Sequence, residues 1–335
     1  MIKKIKKPYL IAEIGGNHEG DFKYAKKLID LASKSGVDCI KLQIYSQKSL
    51  VNKNLDPDRY NHFKKFSLKT SDYIYLAKYI KSKGLDFSAS IWDTNLINRF
   101  KNYVSFFKIG SGDLTAFDII DKIIRTKKKI ILSTGLSSIE QISRTIRFIK
   151  SYKYYQIKKK LILLHCTSLY PNQFKDVNLI TINQLNRVFG LEVGYSDHCI
   201  DDSAILLAIQ NGVRVIEFHF TDNKFRNFRD HQLSLNYDDV ISLNNKIKKY
   251  NSILGQSNKK VLPEEKKQKH HISFRRGLYL NKFKQKGEII KKADLVTLRP
   301  LKGICASQFF RVVGKKTKRN LKPYNPLSLK NFYGN

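Results

Sequence analysis

Two successive apolar runs of this chain end in histidine: V-G-Y-S-D-H at 193–198 and V-I-E-F-H at 215–219, the second with Glu217 two residues before its imidazole. Two imidazoles on neighbouring strand ends can hold a divalent cation from one side and leave its other positions to substrate oxygens. His198 and His219 are therefore the candidate metal ligands. Strand alternation puts Glu217 on the same face as His219, as a further ligand or as the group that fixes an imidazole tautomer. A single histidine at a strand end is more often a structural hydrogen-bonding group, but a pair with a carboxylate beside it is harder to read that way.

Anion chemistry is the second theme. Lys41 in C-I-K-L-Q-I and Lys108 in F-F-K-I-G sit near the ends of two other apolar runs. A buried ammonium needs a counter-charge, which a phosphate or carboxylate supplies. The turns Gly110-Ser111-Gly112 and Ser133-Thr134-Gly135 add hydroxyl and backbone donors, although glycine and serine also suit tight turns for conformational reasons alone. Asp113 follows the first turn, where it can handle a proton or cap the helix that begins near Thr115.

Elements that bring these residues together must place several strand ends at one mouth. The first 255 residues alternate short apolar runs (8–14, 37–44, 85–90, 104–110, 129–135, 161–167, 191–196 and 213–220) with helical patterns such as 22–34, 73–82, 139–149 and 202–211. This alternation predicts a (β/α)8 barrel, an α/β fold whose active site forms at the C-terminal ends of the strands. Glu13, Lys41, Gln43, Lys108, Ser111, Ser133, His165, Ser196, His198, Glu217 and His219 all fall near such ends. After Gly255 the pattern breaks into the polar stretch 256–271, read as a linker or exposed extended segment. Short β-like pieces over 272–335 then make a second domain too small to be comfortable without a partner surface.

Composition excludes more than it identifies. No apolar stretch is long enough to span a bilayer, and no signal-peptide pattern opens the chain. The four cysteines are widely spaced and form neither a disulfide framework nor a cysteine metal site, which fits a reducing cytoplasm. The formal charge of +35 raises nucleic-acid binding. However, the lysines are spread along the whole chain beside abundant Ile, Asn and Tyr, as a bias toward A/T-rich codons would leave them.

The stretches A-E-I-G-G-N-H-E-G-D (12–21), K-L-Q-I-Y (41–45), F-K-I-G-S-G-D (107–113), I-L-S-T-G (131–135), L-L-H-C-T-S-L-Y-P (163–171), V-G-Y-S-D-H (193–198) and I-E-F-H-F-T (216–221) closely resemble, in order, the sialic acid synthase family. The tail from F-R-R-G-L-Y-L at 274–280 to V-V-G-K-K at 312–316 resembles that family's C-terminal SAF, or antifreeze-like, domain. The resemblance implies a metal-dependent condensation of phosphoenolpyruvate with an N-acetylated hexose, giving a nine-carbon 2-keto acid and phosphate. N-acetylmannosamine is the acceptor expected first, with 2,4-diacetamido-trideoxyhexoses (giving legionaminate or pseudaminate) as alternatives.

It further implies that His198 and His219 bind manganese, or magnesium or cobalt in its place. Lys41, Lys108, Ser111, Ser133 and Ser196 would hold phosphoenolpyruvate, with Asp113, Glu13 and Glu217 as the catalytic carboxylates. Gln43, Tyr170, Asp230 and Arg299 would lie around the sugar, Arg299 presented to the other subunit of a domain-swapped homodimer. The chain departs from the family pattern in two places: Phe218 replaces a basic residue, and Arg229 replaces a proline before Asp230. A different class of function, a carbohydrate- or polyanion-binding protein that has lost turnover, would not need to keep the metal pair and the carboxylates together.

Overall fold

The computed structural model describes residues 7–227, 230–255 and 258–334. Its contacts divide the chain into two compact units, residues 1–255 and 256–335.

In the first unit eight parallel strands close into a barrel in sequence order: β1 (Tyr9–Gly15), β2 (Cys39–Ile44), β3 (Asp86–Ile91), β4 (Phe106–Ile109), β5 (Lys129–Ser133), β6 (Leu161–His165), β7 (Glu192–Asp197) and β8 (Val215–His219). Each matches a run expected from the sequence. The two-residue alternation sorts their side chains into two layers. Leu10, Ala12, Ile40, Leu42, Phe107, Ile130, Leu132, Leu163, Ile216 and Phe218 face outward into one large apolar cluster shared with the surrounding helices. Phe218, where a basic residue was expected, therefore belongs to the barrel–helix layer rather than to the mouth.

Inward, Ile11, Cys39, Phe106, Ile131, Leu164 and Val215 make a separate apolar plug. One pleat further along these strands stand Glu13, Lys41, Lys108, Ser133, Cys166 and Glu217. The fold thus lays a polar floor on an apolar plug. Gly194 of β7 permits the plug to close, because a Cβ there would lie 2.5 Å from both Leu164 Cδ2 and the Val215 carbonyl oxygen.

The helices form where amphipathic spacing meets good caps. Helix Phe22–Lys34 starts at Asp21, whose side chain accepts from the Lys23 and Tyr24 N–H groups, and buries Ala25, Leu28, Ile29 and Ala32. Helix Ile139–Ser151 opens with a reciprocal Ser138/Gln141 capping box. Truncating a fully buried leucine such as Leu28 to alanine costs about 2–5 kcal/mol. Between β2 and β3 the chain adds helices Gln47–Leu50 and Pro57–Phe66 before the barrel helix Thr70–Ser82.

The second unit pairs β9 (Gly277–Leu280) with β10 (Leu295–Leu298), antiparallel, over a small core of Leu278, Leu280, Ile290, Leu295, Val312 and Phe332. Where the sequence suggests an extended linker, residues Pro263–Lys267 and His270–Ser273 form short helices. The reason is local: Pro263 stands at the first helical position, and the Glu265 carboxylate accepts from the Leu262 N–H. Among the described residues no helix is long and apolar enough to cross a membrane.

Candidate active site

A cavity of ≈ 460 Å³ opens at the C-terminal ends of the strands. Among the candidate residues, Glu13, Lys41, Gln43, Lys108, Ser111, Asp113, Ser133, Tyr170, Ser196, His198, Glu217, His219 and Asp230 all line it. Arg299 does not; it is an exposed residue of the second unit, just after β10. His165 does not either, because β6 directs it outward, where its Nε2 hydrogen-bonds the Val177 carbonyl at 2.7 Å. Reading every polar residue near a strand end as mouth-facing overlooked the alternation that sends Leu164 in and His165 out. Phe228 and Arg229 lie outside the described residues.

The floor is a network of buried charges. Lys41 Nζ pairs closely with Glu13 Oε2 and lies 3.3 Å from Glu217 Oε1. Lys108 Nζ lies 3.6 Å from the same Glu217 oxygen and donates to Ser133 Oγ at 2.7 Å and to the Ile109 carbonyl at 3.2 Å. Ser196 donates to Glu217 Oε1 at 3.2 Å.

Burial works against every charge here. Glu13 is pushed upward by desolvation, with Lys41 opposing and Glu217 adding to the rise. Glu217 meets the same penalty, but Lys108 and Lys41 together outweigh it and hold its carboxyl below the usual range. Lys108 is held down by burial, with Glu217 opposing and Lys41 reinforcing the fall, whereas the two carboxylates carry Lys41 upward against its own desolvation. Glu217 thus serves two lysines while burial works against the charge of Glu13 and of Lys108, and the two ammonium groups at the floor can meet an anion.

Hydroxyl and amide donors flank that position. Ser111 Oγ accepts from the Gly135 N–H at 3.1 Å and lies 3.1 Å from Cys166 Sγ, so the β4 and β5 turns are tied together. Gly15 sits at an irregularity in the β1–β2 register with φ +53°, and a Cβ there would lie 2.6 Å from Glu13 Oε1. The glycine keeps the carboxylate's space clear.

His198 and His219 meet at the opposite wall, their ring centroids 5.5 Å apart, and Tyr170 lies over His198 at 4.2 Å. His198 Nδ1 is 2.8 Å from the Thr167 carbonyl, which only accepts, so Nδ1 carries the proton and Nε2 keeps its lone pair. Burial, followed by the neighbouring His219, pulls its pKa down to about 4, so the ring is neutral at physiological pH. A neutral imidazole with one nitrogen anchored on a carbonyl fits a metal ligand. The tautomer of His198 is therefore set by Thr167, not by Glu217, whose Oε1 is committed to Lys41 and Ser196. Asp230 Oδ2 stands 4.0 Å from His219 Nδ1. Among the described residues no group of three or more His, Cys, Asp or Glu side chains is placed to hold a metal ion.

The third wall was not legible in the sequence. Leu50, Arg59 and Phe63 come from the two extra helices after β2, and Trp92 follows β3. These residues sit in segments without a motif, so only the path of the chain brings them to the mouth.

Comparison with known proteins agrees with this geometry. The model of the NeuB family matches residues 28–259. The chain is 33% identical over 326 residues to an N,N'-diacetyllegionaminic acid synthase of Legionella pneumophila, covering 93% of this chain and 91% of that protein. It is 28% identical to a pseudaminic acid synthase of Helicobacter pylori, covering 96% of each chain. The solved N-acetylneuraminic acid synthetase of Leptospira borgpetersenii superposes with a TM-score of 0.70 at 27% identity, covering 81% of this chain and 93% of that one.

Proposed function

The chain belongs to the NeuB family and is a condensing transferase of that family, and from this premise we propose that its cavity joins phosphoenolpyruvate to an N-acetylated amino hexose, giving a nine-carbon 2-keto sugar acid and phosphate. One observation carries the reading: two buried lysines share the Glu217 carboxylate on the floor of a cavity that is also lined by two imidazoles with ring centroids 5.5 Å apart. Lys41, Lys108, Ser111, Ser133 and Ser196 hold the phosphate and carboxylate of phosphoenolpyruvate. Gln43, Tyr170 and Asp230 orient the open-chain sugar.

C3 of phosphoenolpyruvate attacks the aldehyde carbon, and the aldehyde oxygen takes a proton. Glu13 stands closest to that task, since burial biases it toward its protonated form. Water then adds at C2, Asp113 accepts its proton, and the tetrahedral centre collapses to the ketone as the C2–O bond breaks and phosphate leaves. Glu217 keeps both lysines ionised and in place. His198 and His219 would hold a divalent ion, manganese foremost with magnesium or cobalt as substitutes, which when bound supplies Lewis-acid polarisation of the aldehyde.

The similarity to proteins named as diacetyllegionaminic and pseudaminic acid synthases, with the apolar wall of Leu50, Phe63 and Trp92, favours a 2,4-diacetamido-trideoxyhexose as acceptor over N-acetylmannosamine. The second unit is read as an SAF domain that presents Arg299 to the sugar in a partner's barrel within a domain-swapped homodimer. If so, mixing inactive Arg299→Ala and Asp113→Asn proteins restores part of the activity; no recovery from a mixed dimer rejects the swap.

The test of the reaction supplies manganese, phosphoenolpyruvate and, in turn, each of the two diacetamido hexoses and N-acetylmannosamine, following phosphate release and product mass. Turnover with one acceptor, lost with a chelator and in His198→Ala, is the expected result. No phosphate release with any acceptor, from folded protein that binds manganese, rejects the assignment.

A further inference from the structure

Two residues of the turn between β1 and the helix Phe22–Lys34 reach across to the segment that follows β8. Asn17 is fully buried, and its side-chain amide donates to the Phe220 carbonyl and to Ser234 Oγ, each at 2.9 Å. Ser234 in turn donates to the Asp230 carbonyl at 2.5 Å. Glu19 makes the second bridge. Its Oε1 accepts from Arg226 Nε at 2.9 Å and lies 3.1 Å from Nε2 of the fully buried His231. The other ring nitrogen, Nδ1, is 2.6 Å from the Thr221 hydroxyl. A carboxylate only accepts, so Nε2 carries the proton and Nδ1 takes the hydroxyl's. With both nitrogens engaged, the ring cannot turn without breaking a bond at one end.

The backbone of Glu19 is an independent sign. Its φ is +53°, in the left-handed region that a side chain occupies at a steric cost and glycine does not. Such a residue persists where its side chain does something that glycine could not. Glu19 does not line the catalytic cavity, so its contacts with Arg226 and His231 are what it supplies.

We propose that Glu19 is a positioning residue: its carboxylate clamps Arg226 and His231 to the β1 turn and so fixes Asp230, which lies between them in sequence and faces the cavity. The inference rests on the reading of Asp230 as a group that orients the sugar. Asp230 lines the cavity, with its Oδ2 4.0 Å from His219 Nδ1. Its neighbour His231 is held by Glu19 and its own carbonyl by Ser234, so the carboxylate projects from a peptide gripped on both sides. The lysines of the floor stand on strands that this clamp does not touch. Its loss should therefore weaken the acceptor and spare phosphoenolpyruvate.

Glu19→Gly removes the clamp and relieves the left-handed strain together, so the fold survives. Glu19→Gln keeps the reach and an oxygen that accepts from both partners. Kinetics with manganese, phosphoenolpyruvate and, in turn, each of the two diacetamido hexoses and N-acetylmannosamine should give Glu19→Gly an acceptor KM about tenfold higher, the order of one misdirected buried hydrogen bond, at an unchanged KM for phosphoenolpyruvate. Glu19→Gln should recover most of the loss. A role confined to stability would shift the unfolding midpoint without separating the two KM values.

Hydrogen exchange gives a readout without turnover. Peptides covering 220–236 should exchange faster in Glu19→Gly than in the wild type, and those of β4 and β5 at the same rate. Unchanged exchange over 220–236 overturns the clamp, whatever the kinetics show. Faster exchange with the acceptor KM unmoved, where Asp230→Ala does raise that KM, overturns the positioning role. If Asp230→Ala leaves the acceptor KM unmoved, the role given to Asp230 in the reaction falls, and exchange alone decides the clamp.

Discussion

The two units each bury lysine against carboxylate, and they do so to opposite ends. In the second unit Asp294 is fully paired: Lys282 and Lys284 each approach one of its oxygens at 2.9 Å, and the Lys291 N–H donates to it at 2.9 Å. Burial would raise its pKa, but the Lys291 N–H and the two ammonium groups overcome this and hold the carboxyl far below its usual range. In the barrel the same residue types are left mismatched. Glu13 is driven toward its neutral form, Glu217 is shared, and Lys108 is pulled down by its own burial. A paired cluster closes on itself and stabilises a small core, whereas a mismatched cluster beside a cavity retains a demand that a ligand can meet.

The sharpest way to break this contrast is to remove one lysine from each cluster. Lys108→Met should lower kcat/KM by about 10³-fold, since an ammonium aimed at a reacting anion is worth that order in a water-excluded site. Its fold should survive, because Lys41 still neutralises Glu217. Lys284→Met should do the reverse. It strands part of the Asp294 charge in a buried position and destabilises the second unit by about 3 kcal/mol, read by thermal or denaturant unfolding, while folded molecules keep their affinity for phosphoenolpyruvate. If the two variants showed the same pattern, the clusters would not differ in kind.

Acid sharpens the comparison further. The folded-state pKa of Asp294 lies below its unfolded value, so its contribution is complete above the ordinary carboxylate range and is lost as pH falls through that range. In the barrel, Glu217 shifts in the same direction but Glu13 shifts the opposite way, contributing below its unfolded value and losing that contribution as pH rises through its raised folded one. The two act in opposite senses and in different ranges, Glu13 above the ordinary carboxylate value and Glu217 below it. Unfolding followed separately in the two units should therefore show the second losing stability earlier on acidification. A smaller effect is expected from salt: raising ionic strength from about 0.05 to 0.5 M should raise the KM for phosphoenolpyruvate by a few fold, because the +35 chain attracts anions at long range. The internal pairs would barely respond.

The barrel was legible because its signal is repeated. Eight apolar runs separated by capped amphipathic stretches leave few alternatives, and alternation along each run places Lys41, Lys108, Glu217 and His219 on the inner face without knowledge of tertiary contacts. His165 shows the limit of that reading: counting strand ends without tracking parity admits residues that point outward. The pairing pattern was hidden for another reason. That Glu217 serves two lysines, and that Thr167 rather than Glu217 fixes the His198 tautomer, depends on distances between strands far apart in the chain. The wall of Leu50, Arg59, Phe63 and Trp92 was illegible because its residues share no motif and reach the mouth through an insertion after β2 and the loop after β3. In the second unit the short helices over 263–273 were obscured by dense charge, which masked the proline and glutamate signals at their start.

Calorimetric titration of phosphoenolpyruvate, in the presence of manganese, into the wild-type protein, Lys108→Met and Lys284→Met tests the central claim most directly. Binding by the wild type and by Lys284→Met, with none detectable in folded Lys108→Met, is the predicted result. Equal affinity in all three proteins would contradict it, and would make the barrel cluster as structural as its counterpart around Asp294.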